Sequence, residues 1–259
     1  MEIVFIDNDK KHNRISFALK GATPGYANAL RKTILQKVPT MAIEDIELRK
    51  NSSALYDEMI AMRLGLIPLK TDLKSYTLRE KCKCKGEGCA RCTCTITLSA
   101  KGPGTVYASE LKSKDSAIKP VFPQMPIVKL LKNQELEFEA TAILGTGDMH
   151  AKWTPGLAWY SYKPNITVNN NSKKLEEFRE KYPEQIFDKD GKIDKNKIIN
   201  LNLVKAVDGV CEDVIKVEYD DTEFLFYLES WGQLSHKEIL ATAIDLLDEK
   251  LDEFDALIK

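Results

Sequence analysis

The sequence predicts an α+β fold on three observations: a helix–strand–helix run over residues 23–69, alternating strands before and after it, and a long amphipathic helix at the C-terminus. Taken in order, residues 2–6 (EIVFI) and 14–19 (RISFAL) read as two strands joined by the polar turn DNDKKHN, a hairpin leading into the first helix. Thr23 is placed to N-cap that helix, and Pro24 at its first position already holds a helical φ. Ala27, Leu30, Ile34 and Val38 recur at three- and four-residue spacing as one apolar stripe. Pro39 ends the helix, because a proline pushes the preceding residue out of the α region. Residues 41–48 alternate loosely, as a short strand does. A second helix follows, with Ser52 or Ser53 as the expected cap and with Asp57 and Glu58 in its first turns, where the helix dipole favours acids. Leu55, Met59, Met62 and Leu66 are its expected buried face, and Gly65 and Pro68 close it.

Further along, TITLSAKG (95–102) and LEFEATAIL (136–144) alternate as strands, the prolines of 118–130 imply extended segments with turns, and 145–155 is a glycine-bearing loop. Residues 165–212 are polar and lysine-rich and read as a small inserted unit or an elaborated loop, with one short helix expected over 172–182. DKDGKID within it invites a calcium-loop reading, but Gly191 falls at position four from Asp188. A calcium loop needs its glycine at position six, so a β-turn between short strands is expected instead. The chain closes on strand-like residues 214–234 and a helix over 235–257, where Ser235 and Glu238 stand in a capping-box arrangement. Ile239, Ala243, Leu246, Leu247 and Phe254 keep one face of that helix apolar, and Leu240 and Ile244 widen it. So wide a stripe is covered either by ordinary core packing or by the chain's own sheet on one side and a partner chain on the other.

A chain of 259 residues with 43% hydrophobic and 30% charged residues can bury a sizeable core and divides naturally into two or three units. Its 38 basic and 39 acidic residues leave a formal charge of −1. That balance argues against nucleic-acid binding as its own task, since such proteins normally carry an excess of positive charge or a basic face. No run of eighteen apolar residues occurs, so no membrane span is expected. The first residues lack the layout of a signal peptide. A cytoplasmic protein with reduced or metal-bound cysteines is expected.

Five of the six cysteines, Cys82, Cys84, Cys89, Cys92 and Cys94, fall within thirteen residues as C-x-C-x4-C-x2-C-x-C. Thiolates at this spacing wrap a tetrahedral ion, and Gly86 and Gly88 let the backbone turn around it. One zinc ion is the leading candidate, with Cys82, Cys84, Cys89 and Cys92 as ligands and Cys94 packing at the start of the next strand or replacing one of them. Four soft ligands leave no open position for water, which makes the site structural. His12, His150 and His236 lie in separate segments, Asp57 and Glu58 point about 100° apart on their helix, and no phosphate loop or nucleophile motif occurs. No catalytic constellation is expected. A zinc-bearing nucleic-acid module and a cysteine-based metal or redox enzyme are the competing classes. The first would show salt-sensitive nucleic-acid binding; the second needs an open coordination site or a low-pKa thiol.

The order ANALRKTILQKVP, then AIEDIEL, then LYDEMIAMRLGLIPL closely resembles the signature of the alpha-type assembly subunits of cellular RNA polymerases, in their archaeal form, the counterpart of the third-largest eukaryotic subunit. VYASEL, the spaced prolines before IVKLL, HAKWTPGLAWYSYKP and the last helix carry the resemblance over nearly the whole chain, 165–212 excepted. The resemblance implies a discontinuous dimerisation domain (1–39 with 213–259), a sheet with two helices on one face. It implies an inserted, mainly β domain over 40–162 carrying the zinc loop, and a small additional insert over 163–212. It implies a non-catalytic role: pairing with the small subunit L, then, with subunits N and P, forming the platform for the two large catalytic subunits, with DNA met only through the complex. By this likeness the residues for partner contact are Asn28, Leu30, Arg31 and Ile34 in the first helix and Leu246, Leu247 and Phe254 in the last. Arg31 and Lys32 are the candidates for the catalytic-subunit face. Some subunits of this type hold an iron–sulfur cluster in the region matching 165–212, but this chain has only Cys211 there, so no cluster is expected.

Overall fold

The computed structural model describes residues 1–201 and 203–258, with Asn200 through its backbone alone. The first strands are β1 (Glu2–Asp9) and β2 (Arg14–Lys20), followed by helix α1 (Pro24–Gln36). The Thr23 hydroxyl accepts the Tyr26 amide at 3.2 Å, the N-cap expected from sequence. β3 (Thr40–Asn51) and helix α2 (Asp57–Gly65) come next, then a long loop to β4 (Cys94–Lys101). β5 (Gly104–Tyr107), β6 (Lys112–Ser113), β7 (Pro126–Leu130), β8 (Glu135–Gly145) and β9 (Gly156–Val168) complete the middle. Short helices α3 (Leu175–Phe178), α4 (Lys195–Asn200) and α5 (Val204–Val207) precede β10 (Ile215–Ser230) and α6 (His236–Ile258). The strands form sheets ordered β1-β2-β10-β9, β3-β8-β4-β6 and β5-β7, so the fold is α+β.

The chain separates into two compact units. One comprises Met1–Phe5, Phe17–Ala27 and Tyr160–Phe226; the other comprises residues 6–16, 28–159 and 227–259. In the larger unit, strict alternation drives the packing. Cys94, Ile96, Leu98 and Ala100 of β4 point inward opposite Ala142, Ala140, Phe138 and Leu136 of β8, with large facing small at Ile96–Ala140 and Ala100–Leu136. Ile60 and Leu64 of α2 join that core with Met41 and Ile43 of β3. On the other face of β3, Ala42 packs with Ile143 and Trp153. The outward faces carry Arg49–Glu139, Lys50–Glu135 and Lys101–Glu135 pairs, exposed and individually worth little.

α2 departs from expectation in two ways. Neither Ser52 nor Ser53 caps it. Tyr56 holds the capping position in extended conformation without a side-chain bond, Ser52 Oγ accepts the Glu135 amide at 2.7 Å, and Ser53 bonds Asn51 Oδ1 at 2.7 Å. The buried face is Ile60 and Leu64, not the stripe of Leu55, Met59, Met62 and Leu66; the last three are exposed and Leu55 is half-buried. The helix has two apolar faces, and this chain covers the weaker-looking one.

In the smaller unit, residues 163–212 lie within a packed body. Ile166, Leu175, Tyr182, Ile186, Ile193, Ile198, Val207, Val214 and Ile215 form one buried cluster. The expected helix over 172–182 appears as α3 continued by a 3-10 turn (Arg179–Lys181), whereas α4 and α5 had no clear signal. Around Gly191, at φ +75°, Phe187 pairs antiparallel with Ile193, and the Asp188 carboxylate accepts the Asp190 and Lys192 amides at 2.9 and 2.8 Å. DKDGKID is a β-turn whose first aspartate is spent on the turn itself.

Candidate metal centre and partner-facing surfaces

The loop between α2 and β4 is closed at its neck by the Thr77 amide donating to Arg91 O at 2.8 Å. Beyond a 3-10 turn (Arg79–Lys81), the backbone turns left-handed at Lys85, Gly86 and Gly88, with φ of 54°, 87° and 94°. Nothing lies within 4 Å of a Cβ built on Gly86, so its glycine serves the backbone angle and not crowding. The Cys92 and Thr93 amides both donate to Cys89 O at 2.9 Å, which folds the second pair of cysteines into a tight knuckle.

This path gathers four sulfurs. Cys82 Sγ lies 3.4 Å from Cys84 Sγ and 3.5 Å from Cys89 Sγ, and Cys92 Sγ lies 3.5 Å from Cys84 and 3.8 Å from Cys89. All four lie within 4.8 Å of one another. Tetrahedral bonds of about 2.3 Å place sulfurs about 3.8 Å apart, so the set has the dimensions of a closed four-thiolate centre and can hold a metal ion. Backbone amides stabilise the negative sulfurs. The Cys89 amide donates to Cys92 Sγ at 3.3 Å, the Cys84 amide lowers the Cys82 pKa, and the Gly88 amide, with Cys82, lowers Cys84 to about 6. Burial pushes the Cys92 thiol the other way, up to about 12, the direction a bound cation reverses. Cys94 stands apart. It is buried in the β4 core with Ser113 Oγ 3.3 Å from its sulfur.

Of the residues expected to meet partners, Leu30 and Ile34 are buried within this chain, which corrects their assignment: apolar positions at helical spacing serve the chain's own core first. Asn28 and Arg31 are half-buried and joined, Arg31 Nη2 donating to Asn28 Oδ1 at 2.9 Å, and Lys32 is exposed. On α6, Leu246 and Leu247 are half-buried, and Phe254 is 62% exposed. The structure adds Leu251 and Ile258, 65% and 67% exposed, which sequence reasoning missed. Ile244, Leu247, Leu251, Phe254 and Ile258 recur at spacings of three and four residues, the seam of a helix that packs on another helix. That spacing was the available signal.

Residues 42–156, which include α2, the cysteine loop and β8, match the family model described as the RNA polymerase Rpb3/RpoA insert domain. The DNA-directed RNA polymerase subunit Rpo3 of Thermococcus kodakarensis is 37% identical over 249 residues, covering 95% of this chain and 94% of that protein. The chain belongs to the Rpo3 family. Rpo3 of Methanosphaera stadtmanae is 34% identical over 94% of both chains, and Rpo3 of Archaeoglobus fulgidus is 34% identical over 97% of this chain and 96% of its own. The likeness to Rpo3 therefore runs through both compact units and is not confined to the insert domain. Among the described residues of this Rpo3-family chain, no helix is long and apolar enough to cross a membrane.

Proposed function

We propose that this chain is the assembly subunit of an archaeal, cytoplasmic DNA-directed RNA polymerase, without a catalytic site of its own. Full-length likeness to proteins named Rpo3 supports the polymerase reading. The single observation that carries the mode of action is the uncovered seam of α6. Exposed apolar side chains over its last turns have no role in a free-standing monomer and suit a helix pairing with another chain. In this reading residues 1–39 and 213–259 supply the pairing domain, and its partner is the small subunit L. Asn28, Arg31, Leu246, Leu247 and Phe254 line that contact, and Lys32 with Arg31 faces a catalytic subunit. Residues 40–162 carry the metal loop and 163–212 a small unit without an iron–sulfur cluster. The pair, with subunits N and P, forms the platform on which the two large catalytic subunits dock, and DNA is met only through them.

Zinc is the ion proposed for Cys82, Cys84, Cys89 and Cys92, since four thiolates in a closed tetrahedral set suit a structural zinc ion. It would tie a loop lacking a core of its own. The test is a tagged pull-down from native lysate at moderate salt with mass spectrometry of what co-elutes. A near-stoichiometric small chain and two very large chains support the reading; recovery of this chain alone, or with nucleic acid only, overturns it.

A further inference from the structure

The two limbs of the cysteine loop are held to the larger unit very differently. The outgoing limb runs straight into a sheet. Two residues past Cys92, Cys94 is already paired opposite Ala142 of β8, so Cys89 and Cys92 inherit a fixed position. The incoming limb, residues 70–81, carries Cys82 and Cys84 and, among the described residues, belongs to no strand. After Thr71, whose amide donates to Gln233 O at 3.0 Å, its one backbone bond beyond itself is the neck bond from Thr77 to Arg91. Side chains therefore anchor it. Leu73 and Leu78 pack against the core, and Arg79 lies 3.6 Å from Asp45 in an ion pair open to solvent and worth little. Tyr76, next to the neck, is 5% exposed, and its hydroxyl donates to Asp115 Oδ2 at 2.8 Å. Asp115 is itself fixed in the turn after β6: its amide donates to Ser113 Oγ at 3.2 Å, and its Oδ1 accepts the Ala117 amide at 2.9 Å. Beside this bond a cleft of about 420 Å³, lined by Gly88, Cys89, Thr93, Lys114 and Asp115, parts the cysteine knuckle from that turn. On that side the loop is not held by packing.

We propose that Tyr76, through its bond to Asp115, is a positioning residue for the metal centre: it sets Cys82 and Cys84 against Cys89 and Cys92 and so governs how fast the ion is released. The inference rests on the zinc reading above and deepens it. Four thiolates close on one ion only when the sulfurs stand about 3.8 Å apart, so a slide of one limb past the other by about 1 Å opens the set. Apolar packing of Leu73 and Leu78 fixes the depth of the incoming limb but has no direction, whereas a hydrogen bond does. Without the phenol hydroxyl, Asp115 Oδ2 loses its donor and the limb is free to shift into the cleft. Groups outside the ligand set act on a metal in this way, by orienting the ligands that touch it.

The experiment follows zinc release from the full-length, zinc-loaded chain to a chromogenic chelator, beside the urea midpoint of each variant. Tyr76→Phe and Asp115→Ala should each keep one zinc but release it about tenfold faster, and the double variant should be no faster than either single. Asp115→Asn, whose amide can still bond the phenol, should stay near the parent. Ile60→Val, which trims the same core at α2, lowers the midpoint and should leave release unchanged. Parent-like release from Tyr76→Phe and Asp115→Ala overturns the proposal. So do effects that multiply in the double variant, and so does release from Ile60→Val that rises in step with its lost stability. If Tyr76→Phe does not fold, Asp115→Ala and Asp115→Asn decide, equal rates overturning the proposal and fast alanine with slow asparagine upholding it. A parent chain that takes up no zinc even on reloading fails the metal reading itself, and the proposal with it.

Discussion

Gly145 lies so close to Trp153 that a Cβ on the glycine would sit 2.4 Å from the indole Cδ2 and Cε2. The ring is 2% exposed, packs with Ala42 and Ile143, and donates through Nε1 to Ile143 O at 3.3 Å. Thr40 adds a buried bond to Trp153 O at 2.6 Å, and Lys152 ties the same loop to Ile43 O at 3.0 Å. Two residues on, a Cβ at Gly147 would meet Leu35 O at 2.0 Å, and the Asp148 amide donates to Gln36 O at 3.2 Å, closing the end of α1. The loop between β8 and β9 thus clasps the α1–β3 junction.

Gly145→Ala forces the indole or strand β8 to shift, and overpacking of this kind costs about 1–3 kcal/mol. Denaturant unfolding of the variant should show a midpoint lowered with unchanged slope. A midpoint equal to that of the parent would mean the tryptophan gives way freely.

The sulfur cluster separates the five clustered cysteines by position: Cys82, Cys84, Cys89 and Cys92 lie together and Cys94 lies apart. Cys84→Ser and Cys92→Ser should abolish stoichiometric zinc, measured by elemental analysis of protein purified under reducing, chelator-free conditions. Cys94→Ser should retain one zinc, because its sulfur is bound into the β4 core beside Ser113. Zinc lost on Cys94→Ser but kept on Cys84→Ser would reassign the ligands.

At the start of α6, the Ser235 hydroxyl and amide both donate to Glu238 Oε2, at 2.6 and 2.8 Å, and hold its carboxyl below the usual carboxylate range. A folded-state pKa below the unfolded one contributes stability that is present above the ordinary carboxylate pKa and lost as pH falls through the folded value. Glu238→Ala should therefore cost about 0.5–1 kcal/mol at neutral pH and progressively less toward acid. A difference from the parent that is the same at pH 7 and at pH 3 would rule out the carboxylate as its cause.

What was legible in the sequence follows from where one physical term dominates. β4, and β8 up to Ala142, alternate because one face is core and the other is more open to solvent, so their inward residues could be read directly, and Cys94 fell on the inward face; past Ala142 both faces of β8 are covered. That Cys82, Cys84, Cys89 and Cys92 come together as a group that can hold a metal ion was legible because cysteines at that spacing have the pattern of a tetrahedral thiolate site. α2 was misread for the opposite reason. Periodicity detects an apolar face but carries no information on which of two faces the chain covers itself. Ser52 and Ser53 matched a cap by type, yet their hydroxyls are taken by Glu135, Asn51 and Leu55. α4 and α5, of six and four residues, are too short to show a period at all.

The α6 seam gives the sharpest test of pairing. Phe254 and Leu251 are 62% and 65% exposed, so most of each side chain faces solvent in this chain. In the free protein, Phe254→Glu should leave the unfolding midpoint and helical circular dichroism within error of the parent, since surface changes away from packed features cost under about 0.5 kcal/mol. In the pair, the same change puts a charge where an aromatic side chain is to be desolvated, and truncation of such an anchor costs about 2 kcal/mol or more. Recovery of the small partner should then fall about thirtyfold, with loss of the large chains following, because their platform is gone. Lys32→Glu should behave differently, retaining the small partner and weakening only the later docking step. If Phe254→Glu still recovers its small partner in full, the last turns of α6 are not the pairing surface.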